Sequence, residues 1–361
     1  MPVTTKKLKL AGTYQYGQHG VIMPWFGLLV GKKGLLTLIE TADDMRVVVE
    51  KKTLDHDVFV PRVVWLPSKQ GLRYARRLRY CLFDRGGYVA MAKRYRRFLI
   101  AQGRFRTLEE KAKEIPNVRK LIGAINILDR SPDDTVLDWM IASGIRRALY
   151  SCGPRRERIA KALKAGYVVN RYDIYTDIAG PELLAVWGKP RNENDHRRIG
   201  YPDECFIRRD GTPRPGFAYP VGARDGVDPK GRKGRRIRCY NRCSACKLKW
   251  LKRNVPPQLR LGYTARFIDV ETAKSLAECY SPKHPLTRTQ DREARIQLFD
   301  YLRSLGQICS SEGGADWAAH ALHYQEGSLT LNHFGALPGI YVGTAPFDLP
   351  ESYVKTQLDP T

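Results

Sequence analysis

The chain of 361 residues carries 62 Lys and Arg against 37 Asp and Glu, a formal net charge of +25, with 43% hydrophobic and 10% aromatic residues. That is enough apolar material for a large core, which excludes a disordered chain. No run approaches the ~20 apolar residues that span a bilayer. The opening MPVTTKKLKLAG is basic with no apolar stretch behind it, so the expectation is a cytoplasmic chain with no membrane partner.

The charge is uneven. The segment from Lys230 to Arg253 holds eleven Lys and Arg and no acid, which leaves +14 for the rest of the chain. No helix-turn-helix, RNP or paired-finger pattern accompanies it, so no specific nucleic-acid partner is expected and an arginine-rich solvated surface is the simpler reading.

Residues 1–87 read as a β-rich segment, the tail of a sandwich-like domain. TYQYGQHGVIMPWFGLLVG, LLTLIETA, MRVVVEKK and VFVPRVVWLP are rich in Val, Ile, Thr and aromatics and are broken by Gly, Pro and Asp. Residues 88–115 read as linking helices: Tyr88, Met91, Ala92, Tyr95, Phe98 and Leu99 recur at helical spacing, and Thr107 with Glu110 forms a capping-box pattern.

From 116 to 361 short apolar runs alternate with helices. LIGAINIL (121–128) reads as a buried strand, Ser131-Pro132-Asp133-Asp134 opens a helix that Gly144 stops, and RALYS is a second strand. RRERIAKALKAG is a second helix and YVVNRYDIY a third strand. YTARFIDV (263–270), a helix from about Asp291 to Leu305, GQICSS (306–311) and a strand near GIYVG continue the series. This alternation indicates parallel βα units in a (β/α)8 TIM-type barrel, incomplete by the count of about six strands where eight close it. A long basic insertion at about 176–262 shows little helical period. It includes a hairpin turning at Asp210-Gly211 and the Gly-rich loop GARDGVDPKGRKGRR.

Acids at the strand ends are the first chemical candidates. Asp269 ends YTARFIDV and Glu312 ends GQICSS, the positions where a βα barrel presents reactive groups. Two carboxylates on neighbouring strands suit retaining glycoside cleavage, one as nucleophile and one as acid. The plainer alternative makes Asp269 a helix cap and Glu312 a surface acid. The Gly-Gly after Glu312 favours close approach of a ligand.

YTARFIDVETA, ECYSPKHPLTRTQDREARIQLFDYLRSLG, SSEGGADWA and HYQEG resemble the catalytic half of glycoside hydrolase family 129 and its relatives around family 101. RYDIYTD and TLEEKAKEIPNVRKLIGA share the likeness, as does the 43-residue spacing of the two acids. The resemblance implies a retaining α-N-acetylgalactosaminidase acting on mucin-type O-glycans by double displacement on a (β/α)8 barrel, with a carbohydrate as its partner. It makes Asp269 the nucleophile and Glu312 the acid and later base. It suggests Asp173 or Asp177 for sugar hydroxyls, Trp317 for stacking, and a general place near the site for His284 and Glu326. No cofactor is required, although the resemblance allows a divalent cation such as calcium near the sugar.

The cysteines supply the competing reading. Cys239, Cys243 and Cys246 stand at C-x3-C-x2-C, a spacing that resembles the iron–sulfur signature of radical S-adenosylmethionine enzymes. A zinc site with Cys205 as fourth ligand is another use of the same thiols. A non-enzymatic glycan- or polyanion-binding protein with a decayed site is the third alternative.

Overall fold

In this computed structural model, residues 11–16, 21–53, 57–69, 71–72, 74–221 and 235–326 are described. The β-rich start yields strands β1 (Gly12–Gln15), β2 (Trp25–Val30), β3 (Lys33–Ile39), β4 (Met45–Thr53), β5 (Asp57–Trp65) and β6 (Leu78–Phe83). They form two antiparallel three-stranded sheets, ordered β1-β4-β5 and β2-β3-β6. Helix α1 (Gly87–Ala101) lays Met91, Tyr95, Phe98 and Leu99 over Leu36 and Leu38 of β3. Gly27 makes this approach possible, since a Cβ there would stand 2.2 Å from the Met91 sulfur. Helix α2 (Leu108–Glu114) begins at the expected capping box, with Thr107 and Glu110 satisfying each other's backbone N–H groups.

The remaining elements alternate. They are β7 (Ile125–Leu128), α3 (Thr135–Ala142), β8 (Ala148–Ser151), α4 (Arg156–Lys164), β9 (Val168–Asp173), β10 (Asp177–Ile178), α5 (Pro181–Trp187), β11 (Pro215–Val221) and β12 (Arg235–Asn241). Then follow α6 (Lys247–Leu259), β13 (Ala265–Ile268), α7 (Arg288–Ser304), β14 (Ile308–Glu312), α8 (Asp316–Ala319) and β15 (Tyr324–Glu326). Six strands make one parallel sheet in the order β15-β14-β13-β9-β8-β7. The sheet curls into half a barrel, so the described fold is mixed α/β with an incomplete (β/α) barrel behind a β-rich segment.

Several boundaries differ from expectation. Residues 116–121 form a 3-10 helix, which shortens the expected 121–128 strand to Ile125–Leu128. That strand alternates half-buried and exposed residues because it is the edge of the sheet. The sixth strand is Tyr324–Glu326, while the expected strand near GIYVG and the loop GARDGVDPKGRKGRR (222–236) fall wholly or mostly outside the described residues.

The insertion contains a 13-residue helix, α6, that sequence reading did not find, because Pro256 and Pro257 lie inside its last turn. Its buried stripe of Lys247, Trp250, Leu251 and Val255 keeps helical spacing. The hairpin turn expected at Asp210-Gly211 is present: Ile207 bridges Pro213, and Gly211 has a φ of +82°. Strands β11 and β12 pair antiparallel beyond it, with β10 on the far side of β12.

Among the described residues of the basic segment, Arg235, Arg236, Arg238, Lys249, Lys252 and Arg253 are exposed, as expected of a solvated surface, while two cations are taken into the fold. Arg242 is buried and donates to Glu204 at 2.7 Å, and Lys247 is buried and donates to both Glu271 oxygens at 2.7 Å. Asp316 ties the N-terminal part to the sheet. It accepts hydrogen bonds from the Tyr16 and Tyr95 hydroxyls and pairs with Arg104 at 3.0 Å.

Candidate active site

Strand alternation decides which residues face the inside of the curled sheet, because successive side chains point to opposite faces. Asn170 and Tyr172 on β9, Phe267 on β13 followed by Asp269, Glu312 on β14 and Glu326 on β15 fall on one face. With Leu128, Arg130 and Ser151 they line a cavity of about 310 Å3 at the C-terminal ends of the strands. Parallel registers align them: Phe267 pairs with Tyr172, and Glu312 pairs with Glu326. The Tyr172 and Phe267 rings stack at 5.6 Å, forming an aromatic wall beside the acids.

Asp269 follows the last residue of β13. Its amide donates to the Asp173 carbonyl at 2.8 Å, and its carboxylate accepts from the Tyr172 hydroxyl and the Val270 amide. Val270 has a φ of +75°, a conformation a β-branched residue rarely adopts. Backbone strain directly after a cavity carboxylate marks a position that the surrounding structure over-determines. Sequence reading had no signal for it.

Glu312 and Asp269 stand close enough to share a side-chain hydrogen bond, so the two acids form one dyad. Burial pushes both carboxyls above their ordinary range. For Glu312, the charge of Asp269 and the shared hydrogen bond add to the effect. The charge of Asp269 favours the protonated form of Glu312, while the Tyr172 hydroxyl favours the ionised form of Asp269. Thr272 fixes the backbone beside Glu312, its hydroxyl donating to the Glu312 carbonyl at 2.6 Å and to that of Gly313 at 3.1 Å.

The other expected site residues divide. Glu326 lines the cavity, accepts from Asn126 at 3.0 Å, and is pushed up by burial and by Asp269. Asp177 is buried beside Tyr219, whose hydroxyl donates to it, and its charge reaches Asp269. Asp173 points away from the dyad into a buried ion pair with Arg266.

Two expectations are corrected. Trp317 is only 1% exposed and sits in the main hydrophobic core, because α8 turns it inward after β14, so it offers no stacking face in the cavity. His284 lies not among the cavity residues but beside Cys279, with its Nδ1 3.5 Å from the sulfur.

The cysteine triplet is also split. Cys239 on β12 faces inward against Asp177 and Gly216, whereas Cys243 sits with Cys279 and His284. Cys239 and Cys243 thus face different partners, which divides the C-x3-C-x2-C set expected for iron and sulfur. Among the described residues no three carboxylates converge on one point, and no step below runs through a metal ion. Among these residues no helix is long and apolar enough to cross a membrane.

Residues 139–335, more than half of the chain, match the protein family described as "Glycosyl hydrolases related to GH101 family, GH129". The chain belongs to glycoside hydrolase family 129. Among solved structures it is similar to the α-N-acetylgalactosaminidase NagBb of Bifidobacterium bifidum in its GalNAc complex. That likeness has 21% identity and a TM-score of 0.69 and covers 86% of this chain and 54% of that one. The ligand-free form of NagBb gives 21% identity and a TM-score of 0.68, covering 85% and 55%. The family 129 chain thus shares their fold while spanning about half of their length. No curated protein sequence matches it.

Proposed function

We propose that this family 129 chain is a retaining glycoside hydrolase that cleaves α-linked N-acetylgalactosamine from mucin-type O-glycans. The observation that carries the reading is the Asp269–Glu312 dyad, hydrogen-bonded on neighbouring strands at the rim of a cavity of about 310 Å3. The sugar is inferred from family membership and from the solved relatives named as α-N-acetylgalactosaminidases.

In the first step Asp269 attacks the anomeric carbon as the glycosidic C–O bond breaks, and Glu312 delivers its proton to the leaving oxygen. In the second, Glu312 takes a proton from water, whose oxygen attacks the same carbon and returns Asp269 as a free carboxylate. Close placement supports the retaining course, since an inverting pair stands roughly 6.5–9.5 Å apart to admit a water between the base and the sugar. Asp177, Glu326 and Asn170 are the polar groups available for sugar hydroxyls, and the Tyr172–Phe267 wall suits an apolar pyranose face.

The test is release of aryl alcohol from an aryl α-N-acetylgalactosaminide, with the anomer of the first-formed sugar read by NMR and Asp269→Asn run alongside. Retention of the α-anomer with loss of turnover in the variant is expected. Release of the β-anomer would refute double displacement, and equal turnover by Asp269→Asn would refute the nucleophile.

A further inference from the structure

Cys243, Cys279 and His284 play no part in the proposed hydrolysis, yet their donor atoms lie within 4.8 Å of one another in a largely buried pocket. The spacing suits a small soft cation. A tetrahedral zinc with Zn–S near 2.3 Å and Zn–N near 2.1 Å holds its sulfur and nitrogen donors roughly 3.5–3.8 Å apart. Here Cys279 Sγ and His284 Nδ1 are separated by 3.5 Å.

His284 is set up as a ligand by its other nitrogen. Nε2 lies 2.9 Å from the Asp203 carbonyl, which can only accept, so Nε2 carries the hydrogen and Nδ1 presents its lone pair to the cysteines. Donation of the second ring N–H to a backbone carbonyl is the usual support of a metal-bound imidazole. One sulfur is also held by the backbone: the Ile207 amide donates to Cys279 at 3.4 Å.

The backbone is rigid on both sides. Cys279 and Leu286 exchange two hydrogen bonds, at 3.0 and 3.1 Å, which closes the short hairpin carrying Cys279 and His284. The Cys246 amide donates to the Cys243 carbonyl at 2.9 Å, which tightens the C-x2-C turn just before α6. Cys246, half-buried at the end of that turn, stands outside the cluster of three and is the next thiol along the chain that could reach it.

We infer that Cys243, Cys246, Cys279 and His284 bind a structural zinc ion, with Cys246 closing the coordination. The ion joins the start of α6, in the insertion, to the segment that runs from Asp269 towards α7 and so fixes one side of the cavity from behind. Cys205 is left outside the ligand set, as is Cys239.

The test uses the whole chain purified without chelator. About one zinc per chain by elemental analysis is expected, and cobalt exchanged in its place should show the intense ligand-field bands and sulfur-to-cobalt charge transfer of a tetrahedral thiolate site. His284→Ala and Cys246→Ser should each lose or weaken the metal, whereas Cys205→Ser and Cys81→Ser should keep it. Removal of zinc should lower the Tm of the wild type, a readout that needs no variant to fold. Folded wild-type chain that holds no zinc and takes up no cobalt would overturn the site, as would a Cys243–Cys279 disulfide seen as two fewer titratable thiols. Loss of metal in Cys205→Ser with retention in Cys246→Ser would overturn the assignment of the fourth ligand.

Discussion

The Tyr172 hydroxyl donates a hydrogen bond to Asp269 across two parallel strands, from the residue that pairs in register with Phe267, two positions before the acid. Burial works against ionisation of Asp269, and this bond is the first effect that opposes it. Tyr172→Phe therefore raises the Asp269 pKa further and moves the acidic limb of kcat/KM to higher pH. A hydrogen bond to a charged group is worth about 1.5–3 kcal/mol, so a loss of roughly 10- to 100-fold in kcat/KM is expected near the limb. A pH–rate profile of the variant that overlays the wild type would remove Tyr172 from the mechanism.

In the proposed mechanism Glu312 is the acid, so its ionisation should set the alkaline limb. Activity is full while Glu312 is protonated and falls as pH rises through its pKa, which burial and Asp269 displace upward from the ordinary value. Glu312→Gln keeps the size and the donor to Asp269 but cannot give up a proton. With an aryl leaving group of low pKa the first step needs little acid assistance, so the variant should retain far more activity on it than on an alkyl glycoside, where about 10^2- to 10^4-fold is lost. Equal losses on both leaving groups would argue against Glu312 as the acid.

The βα order was legible because period-2 apolar runs ending in acids and helices closed by Gly144, Gly166 and Gly306 are local signals. The dyad was legible for the same reason: Asp269 and Glu312 end their runs. What stayed hidden depends on contacts far apart in the chain. Tyr172 and Asn170 are ordinary strand residues until β9 is set beside β13. Strain at Val270 leaves no trace in composition. Trp317 and His284 belong to segments that carry the family likeness, but proximity in sequence to Glu312 or Asp269 did not determine which way they faced. Helix α6 was masked by two prolines at its end, and the C-x3-C-x2-C spacing suggested a partner set that the turn before α6 divides.

Lys247 and Glu271 link the insertion to the loop that follows Asp269. The Lys247 ammonium donates to both Glu271 oxygens at 2.7 Å and to Thr176 at 2.9 Å, with both charged groups buried. Removing one partner leaves an uncompensated buried charge, so Lys247→Met should destabilise by about 3–5 kcal/mol in urea unfolding. The double variant Lys247→Met, Glu271→Leu should recover much of this, because no orphan charge remains. A double variant as unstable as the sum of the singles would show that the pair does not act as a unit.

The dyad also carries a cost in stability that can be measured. Both carboxyls are displaced upward in the folded chain, Asp269 first by burial and Glu312 first by burial and then by the charge of Asp269. A carboxyl whose folded pKa exceeds its unfolded value binds protons more tightly in the native state. Its contribution is thus most favourable below the unfolded pKa and is lost as pH rises through the folded one. Asp269→Asn retains an acceptor for Tyr172, and Glu312→Gln retains a donor to Asp269, so each removes the ionisable group without removing the contact. Both should raise Tm above the wild type at neutral pH, with the difference shrinking below roughly pH 4, where the wild-type acids are protonated in either state. A Tm gain that persists unchanged into acid would mean the amides repack the cavity rather than relieve a buried charge; a Tm loss at neutral pH would mean that the ionised dyad is held by favourable contacts stronger than its burial.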